Sequence, residues 1–156
     1  LWQPNIALSS NQNLDFYFKR DGVLENLGKT QLAFSPNIVG GSAIMYVPSN
    51  RFQIGLLSKY VGKQYMGNID SENSTLEAYF VNDLNAVFTW KPNKWVSEIQ
   101  WSFLINNIFD KRYESNGYFY TYDDNWSIPG QVTTIEGAGY YPQAGINSLT
   151  GITLRF

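Results

Sequence analysis

The chain of 156 residues is long enough for one domain, and its net charge of −2 with 15% charged residues offers no basic surface for nucleic acid. It contains no cysteine and no histidine, which excludes zinc sites built from those residues, cysteine nucleophiles and His-based triads. We therefore assign no catalytic residue, no metal ligand and no cofactor, and we predict that the chain is not an enzyme.

Alternating apolar and polar residues predict strands from the start of the chain. A first strand covers residues 2–9 and is expected to continue after a kink to about Phe18. Asp21-Gly22 and Asn26-Leu27-Gly28 predict turns, because Gly, Asp and Asn favour turn conformations. A second strand is predicted from about Gln31 to Val47.

The second predicted strand is irregular. It contains Pro36 and Gly40-Gly41, which predict a bulge. Pro48-Ser49-Asn50 then predicts a short turn, and a third strand follows from about Phe52 to Lys63.

The central part of the chain carries the clearest pattern. Residues 67–75 predict a polar loop, and a fourth strand follows from about Ala78 to Trp90. After a turn at Lys91-Pro92-Asn93-Lys94, a fifth strand is predicted over residues 97–113, unusually long for a soluble domain. Its apolar positions are Ile99, Trp101, Phe103 and Ile105.

The C-terminal part predicts one long loop and one strand. The loop covers about Glu114 to Ala138 and contains Asn-Gly, Asp-Asp-Asn and Pro-Gly turn signals. The last strand places Ile152, Leu154 and Phe156 on one face. Because no helical period appears anywhere, the chain is predicted to be all-β.

The predicted connections alternate between short and long. Short turns at residues 48–50 and 91–94 alternate with long connections at residues 67–75 and 114–138. This predicts an antiparallel up-and-down meander of about six long strands, with one apolar and one polar face. Alternation alone does not decide whether the apolar face meets lipid or the core of a soluble β-sandwich.

Two stretches resemble a known family. Residues 105–114 read Ile-Asn-Asn-Ile-Phe-Asp-Lys-Arg-Tyr-Glu, residues 140–145 read Tyr-Tyr-Pro-Gln-Ala-Gly, and the chain ends in Gly-Ile-Thr-Leu-Arg-Phe. In order and spacing they resemble segments near the end of TonB-dependent outer-membrane receptors. Ala144, Ile146 and the run 148–150 depart from the residues usual there. The likeness is sharpest from about Arg51 onward.

The resemblance implies a place and a function. Residues 1–156 would form the C-terminal part of a receptor β-barrel in the bacterial outer membrane. Receptors of this type close with about 22 strands around a plug, so the plug domain and the remaining strands are expected elsewhere in the same protein. The function implied is TonB-dependent uptake of a scarce nutrient, such as a ferric siderophore, haem, cobalamin or a glycan.

The resemblance also implies partners. These are outer-membrane lipid, the plug and other strands, the TonB complex through the N-terminal part, and the outer-membrane assembly machinery. The assembly signal is expected in the last strand, at Ile152, Leu154 and Phe156.

Polar residues of the predicted strands are expected to point into the barrel lumen and contact the plug. They are Lys59, Asp83, Asn85, Glu98, Gln100 and Asn106.

Aromatic residues of the long loop are candidates for ligand contact, although they could equally pack the loop on itself. They are Tyr118, Tyr120, Tyr122 and Trp126.

Two further groups have competing interpretations. Trp90, Trp95 and Trp101 suit an aromatic girdle at the periplasmic interface, and the alternative is sugar stacking in a binding groove. Asp123 and Asp124 lie in a stretch rich in turn residues and are interpreted as solvated turn carboxylates, not as a metal or acid-base site.

The sequence is also compatible with two alternative functions. A soluble, aromatic-rich β-sandwich that binds carbohydrate would bury Leu84, Phe103 and Leu154 beneath a second sheet. A small complete outer-membrane barrel would have an adhesion or structural role. If the six strands form an open sheet, its two edge strands are expected to drive association.

Overall fold

The computed structural model describes residues 1–92 and 95–156. These residues form β-strands and one 3₁₀ turn at Glu72–Ser74, with no α-helix among them. No helix in this part of the chain has the length and apolar character needed to cross a membrane. The strands are β1 (Trp2–Leu8), β2 (Gln12–Arg20), β3 (Val23–Gln31), β4 (Ile38–Ser49), β5 (Phe52–Val61), β6 (Gln64–Tyr65), β7 (Thr75–Leu76), β8 (Tyr79–Trp90), β9 (Glu98–Asn106), β10 (Glu114–Asp124), β11 (Thr133–Pro142) and β12 (Asn147–Arg155).

Six of the strands form one antiparallel sheet in the order β1-β4-β5-β8-β9-β12. Each strand pairs with the next sheet strand along the chain, so the sheet is a simple meander. This confirms the predicted fold class, an all-β antiparallel meander of six strands. The strands β1 and β12 are the two edges of the sheet.

The register gives the sheet two chemically different faces. Directly opposed residues of an antiparallel pair share a face, and the pairs Leu56–Leu84 and Phe88–Trp101 run through its centre. We call this side the apolar face. It also carries Trp2, Ile6, Leu8, Ile38, Ile44, Tyr46, Phe52, Ile54, Phe80, Trp90, Ile99, Phe103, Ile105, Ile152 and Leu154.

No second sheet covers the apolar face in the part of the chain that the structure describes. Phe103 is 39% exposed and Leu154 is 49% exposed, and Leu84 is half-buried. The β-sandwich alternative, which needs these side chains beneath a second sheet, is therefore wrong. An open apolar groove of about 490 Å³ lies on this face, lined by Phe52, Ala86, Phe88, Trp101 and Phe103.

The small buried core lies at one end of the sheet. Val61, Tyr79 and Val81 pack together there, with Tyr113 against them. The Tyr79 and Tyr113 rings lie 4.3 Å apart between centroids. In residues 1–92 and 95–156, most of the sheet surface has no buried core packed against it.

The fifth predicted strand is shorter than expected. β9 ends at Asn106, and Asn107 and Asp110 adopt left-handed backbone conformations with φ of 52° and 49°. A left-handed residue interrupts the regular extended conformation of a strand. Residues 107–113 therefore form a compact connection instead of extending β9.

The predicted loop from Glu114 to Ala138 is wrong for most of its length. β10 and β11 form a regular antiparallel hairpin, in which Tyr118 pairs with Gly139 and Tyr120 with Gly137. Of its turn signals, Asn125 and Pro129-Gly130 fall in the hairpin turn between Asp124 and Thr133, whereas Asn116-Gly117 lies inside β10. Both faces of the hairpin carry polar residues and glycines, so it lacks the simple alternation of the main sheet.

The N-terminal region also differs from the prediction. β2 and β3 form a separate hairpin, whose turn is the predicted Asp21-Gly22 with φ of 51° and 81°. The predicted turn at 26–28 lies inside β3, where Gly28 has a φ of 68° beside a register shift. β2 is thus not a continuation of the first strand.

The predicted strand from Gln31 to Val47 is divided. Its break falls at Phe34, which has a φ of 53°. Gly40 and Gly41 pair regularly with β1, and the irregular register lies between Tyr46 and Ser49. Of the predicted turn at residues 91–94, Asn93 and Lys94 lie outside the described residues.

Candidate functional site

Three long connections leave the same end of the sheet. In an antiparallel meander alternate connections lie at the same end, and here these are the links β1 to β4, β5 to β8 and β9 to β12. We call them the first, second and third excursions. They contain the β2–β3 hairpin, the β6–β7 pair with the 3₁₀ turn, and the β10–β11 hairpin, respectively. Together they form the excursion layer.

The first and third excursions are joined at the tip of the β2–β3 hairpin. The Asp21 amide donates to Thr134 Oγ1 at 2.7 Å, and the Thr134 amide donates to Asp21 Oδ1 at 2.7 Å. Lys19 Nζ lies 3.3 Å from Asp123 Oδ2. The two reciprocal hydrogen bonds satisfy both backbone groups and fix the position of the hairpin tip.

The first and second excursions are joined by side chains that accept from backbone amides. The Gln31 amide donates to Asp70 Oδ1 at 2.8 Å, and the Ala33 amide donates to Asn68 Oδ1 at 2.7 Å. The polar loop predicted at residues 67–75 therefore has a structural role, since its side chains satisfy amides of a neighbouring excursion.

Glu136 in β11 joins all three excursions. Its Oε2 accepts hydrogen bonds from the Ser71 hydroxyl and, at 3.1 Å, from Asn73 Nδ2. Its Oε1 lies 3.7 Å from Arg20 Nη2. The Glu136 side chain is 19% exposed, so water screens these contacts less than it would on an open surface. Sequence reasoning missed Glu136, because nothing local marks it.

We expect Glu136→Ala to loosen the excursion layer. The change removes one charged acceptor and leaves Ser71, Asn73 and Arg20 without it, at a cost of about 1–2 kcal/mol in local stability. Hydrogen exchange of the excursion amides in the full chain measures this. The matched control is Glu25→Ala, which removes an exposed carboxylate that makes no hydrogen bond within residues 1–92 and 95–156. Equal exchange in the two variants would contradict the role of Glu136.

The predicted ligand-contact residues form a continuous surface on the hairpin. Ring centroids are 6.3 Å apart for Tyr118 and Tyr120, 6.4 Å for Tyr120 and Tyr122, and 5.9 Å for Tyr122 and Trp126. The planes are nearly parallel, within 16° for each pair. We call these four residues the aromatic strip. All four side chains are exposed.

Two glycines of β11 allow the rings to lie where they do. A Cβ on Gly137 would collide with the Tyr120 ring, and a Cβ on Gly139 would collide with the Tyr118 ring. The rings therefore lie across the backbone of the partner strand and cover it. Such aromatic cover compensates for the missing side chain of a strand glycine.

The other face of the β10–β11 hairpin packs on the remaining excursions. The Phe119 ring packs directly on Gly67, and the Met66 side chain packs directly on Gly117. In both places a Cβ on the glycine would collide with the neighbouring side chain. The Tyr140 hydroxyl donates to the Asn73 carbonyl at 2.9 Å. The hairpin thus has one packed face and one free aromatic face.

The six predicted lumen residues lie together on the polar face of the sheet. The register places Lys59, Asp83, Asn85, Glu98, Gln100 and Asn106 on the side opposite the apolar face. Arg155 and Lys91 both pair with Glu98. Asn85 Oδ1 is buried and has no hydrogen-bond partner in the described part of the chain. Their contact with a plug stays a prediction.

The remaining predicted residues lie on exposed surface. Trp90 and Trp101 share the apolar face toward the short-turn end, and Trp95 is 91% exposed. Ile152 and Leu154 lie on the exposed edge strand β12, with Phe156 just beyond it. The roles as girdle and as assembly signal stay predictions.

Asp123 and Asp124 act as structural groups of the hairpin. Asp123 contacts Lys19 and accepts from the Thr134 hydroxyl. Hydrogen bonds from the Ser127 hydroxyl and amide and from the Trp126 amide lower the pKa of Asp124. No cluster of potential metal ligands occurs in residues 1–92 and 95–156.

The two family-like stretches meet in space and hold each other. The side chain of Asn107 donates to the Lys111 carbonyl at 2.9 Å and to the Ala144 carbonyl at 3.3 Å, and its Oδ1 accepts from the Lys111 amide at 2.9 Å. Asp110 Oδ1 accepts from the Ile146 amide at 2.9 Å. We call this arrangement the latch. It fixes the point where the third excursion leaves and rejoins the sheet.

Comparison with known proteins gives one structural likeness. No protein-family model matches the chain, and no curated protein matches it. The crystal structure of the siderophore receptor PiuA from Acinetobacter baumannii is similar, with a TM-score of 0.53 and 16% sequence identity. The match covers 88% of this chain and 17% of that receptor chain. At this identity the likeness shows a shared fold, so the meander corresponds in architecture to a segment of a receptor of that kind.

Proposed function

We propose that this chain is a segment of an outer-membrane β-barrel that works as a TonB-dependent receptor. It supplies part of the barrel wall and of the outward loops for uptake of a scarce nutrient, such as a ferric siderophore, haem, cobalamin or a glycan. The family-like stretches at 105–114 and 140–145 and the fold shared with a segment of a siderophore receptor support this proposal. Residues 1–156 then belong to the C-terminal part of a larger barrel.

The observation that carries the proposal is the uncovered apolar face. It runs across all six strands, and water-soluble monomers rarely expose contiguous apolar patches above a few hundred Å². Each exposed Å² of apolar surface costs roughly 25 cal/mol in water. Contact with lipid chains removes this cost, and an antiparallel sheet satisfies its backbone hydrogen bonds internally except at its edges.

The polar face then borders the barrel lumen. Lys59, Asp83 and Asn106 line an open cavity of about 350 Å³ with Tyr113 and neighbouring residues. These side chains are available for hydrogen bonds with a plug domain in the lumen. The excursion layer lies outside the membrane, with the aromatic strip on its surface.

The proposal is tested by spin labels at successive positions of β9. The sequence contains no cysteine, so Trp101→Cys, Ser102→Cys, Phe103→Cys and Leu104→Cys each give one label site. In the full chain reconstituted in lipid vesicles, labels at 101 and 103 should be accessible to oxygen, which concentrates in lipid. Labels at 102 and 104 should be accessible to a water-soluble nickel complex.

The alternation itself is the decisive result. Residues in a strand change faces at every step, so the two accessibilities must rise and fall out of phase with a period of two. If all four labels met the nickel complex equally, the apolar face would lie in water and the proposal would fail.

A further inference from the structure

The β10–β11 hairpin carries an exposed surface that the barrel wall does not use. The aromatic strip consists of Tyr118, Tyr120, Tyr122 and Trp126, and Tyr141 extends it, with its ring centroid 6.0 Å from that of Tyr118. The packing of the hairpin uses its other face, through Phe119, Glu136 and Tyr140. Among the described residues, the hydrogen bonds and ion pairs that join the hairpin to the other excursions do not involve the side chains of the strip.

The polar groups of the strip are free. In residues 1–92 and 95–156, no hydrogen bond engages the hydroxyls of Tyr118, Tyr120 and Tyr122 or the indole N–H of Trp126. Each ring thus offers an apolar surface with a polar group at its edge. Such side chains are enriched at binding surfaces because they combine large contact area with hydrogen bonding.

The charge of the hairpin excludes an anionic ligand. Residues 114–142 contain four carboxylates and no Lys or Arg. A carboxylate or phosphate ligand would meet no cation on the strip, so no ion pair would compensate for the loss of its hydration.

The same carboxylates do not suit a cationic ligand either, because three of them are already engaged. Asp123 pairs with Lys19, and Glu136 pairs with Arg20, both on the packed face. Asp124 accepts from the amides of Trp126 and Ser127. Glu114, at the far end of β10, is the remaining one.

We propose that the aromatic strip binds a neutral oligosaccharide. A sugar ring presents apolar C–H groups on its face and hydroxyls at its edge, which matches rings with free polar edges and no charge to neutralise. Four rings in a row suit an extended chain of several sugars better than a single one. A proline-rich peptide fits less well, because it docks in grooves, whereas the rings here lie flat across Gly137 and Gly139.

This inference rests on the proposed function in one respect, which is that the excursion layer lies in water. The test uses the full chain in a detergent without a sugar headgroup, titrated calorimetrically with maltohexaose and with cellohexaose. At least one hexaose should bind, more tightly than maltose or cellobiose, because the longer chain covers more rings. The anionic probe hexagalacturonate should not bind.

Variants locate the site. Tyr120→Ala should weaken hexaose binding roughly tenfold, as truncation of a central aromatic contact does. Trp126→Ala should also weaken it, and it leaves both glycine-covering rings in place. The matched control Tyr17→Ala removes a tyrosine of similar exposure in β2, outside the strip, and should not change the affinity.

Three outcomes would overturn the inference. They are no binding of either hexaose at millimolar concentration, unchanged binding in both Tyr120→Ala and Trp126→Ala, or preferential binding of a (Pro)₈ peptide. None of them would alter the accessibility pattern of the spin labels in β9. Failure of sugar binding is thus distinct from failure of the barrel assignment.

Discussion

Phe103→Arg should strongly reduce the fraction of molecules that assemble in the outer membrane. Phe103 lies near the middle of β9 on the apolar face, opposite Ala86 and Thr150. An arginine on the lipid face near the middle of a membrane strand costs about 2–4 kcal/mol, and the apolar contact of the phenylalanine is lost as well. The folded fraction in outer membranes and the unfolding free energy in vesicles, from a urea titration, measure the effect.

The neighbouring residue provides a matched control. Ser102→Arg introduces the same side chain one position earlier, on the polar face, where its charge meets water. It should assemble nearly as well as the unchanged chain. Equal loss in both variants would mean that β9 tolerates arginine on neither face, and equal tolerance would place the apolar face outside lipid.

Asn107→Ala should cost about 2–4 kcal/mol of unfolding free energy. Asn107 is 5% exposed, and its side chain makes three hydrogen bonds within the latch. Its loss removes three hydrogen bonds to backbone groups of Lys111 and Ala144, each worth about 0.5–1.5 kcal/mol. The φ of 52° adds to the cost, because alanine adopts this conformation less readily than asparagine. Urea unfolding in vesicles measures the change.

Two further variants separate the causes. Asn107→Gly permits the positive φ but lacks the hydrogen bonds, so it should recover part of the loss and no more. Asn106→Ala, one residue earlier, removes a single side-chain hydrogen bond to Asn147 from a regular strand position and should cost about 1 kcal/mol. If Asn107→Ala were no worse than Asn106→Ala, the latch would not hold the end of β9.

The main sheet could be predicted from sequence because each of its strands borders two different environments. In β8 and β9 the apolar residues Phe88 and Trp101 alternate with the polar residues Thr89 and Gln100, with Val87 and Leu104 as exceptions on the polar face. This alternation with a period of two residues predicted the strands and their two faces, and the alternating short and long connections predicted the meander. The end of β9 could not be predicted, because Asn107 leaves the strand through contacts with Lys111 and with Ala144, which lies 37 residues further along the chain.

The excursions were less predictable for a related reason. The β10–β11 hairpin has one packed and one free face, and both contain glycine and polar residues, so its sequence resembled a loop. Tyr118, Tyr120 and Tyr122 were identified by residue type alone. Their arrangement depends on Gly137 and Gly139 in the partner strand, and the role of Glu136 depends on Ser71 and Arg20 in other excursions. These pairings are set by the assembled fold and have no local sequence signature.

The joining of the excursions determines what another molecule can recognise at this end of the protein. Asp21, Asn73 and Glu136 are far apart in the chain, yet their contacts bring all three excursions into one surface. An antibody that binds this surface would recognise a discontinuous epitope. A synthetic peptide copied from a single excursion would lack most of that epitope, so an immunogen for this surface needs the folded layer.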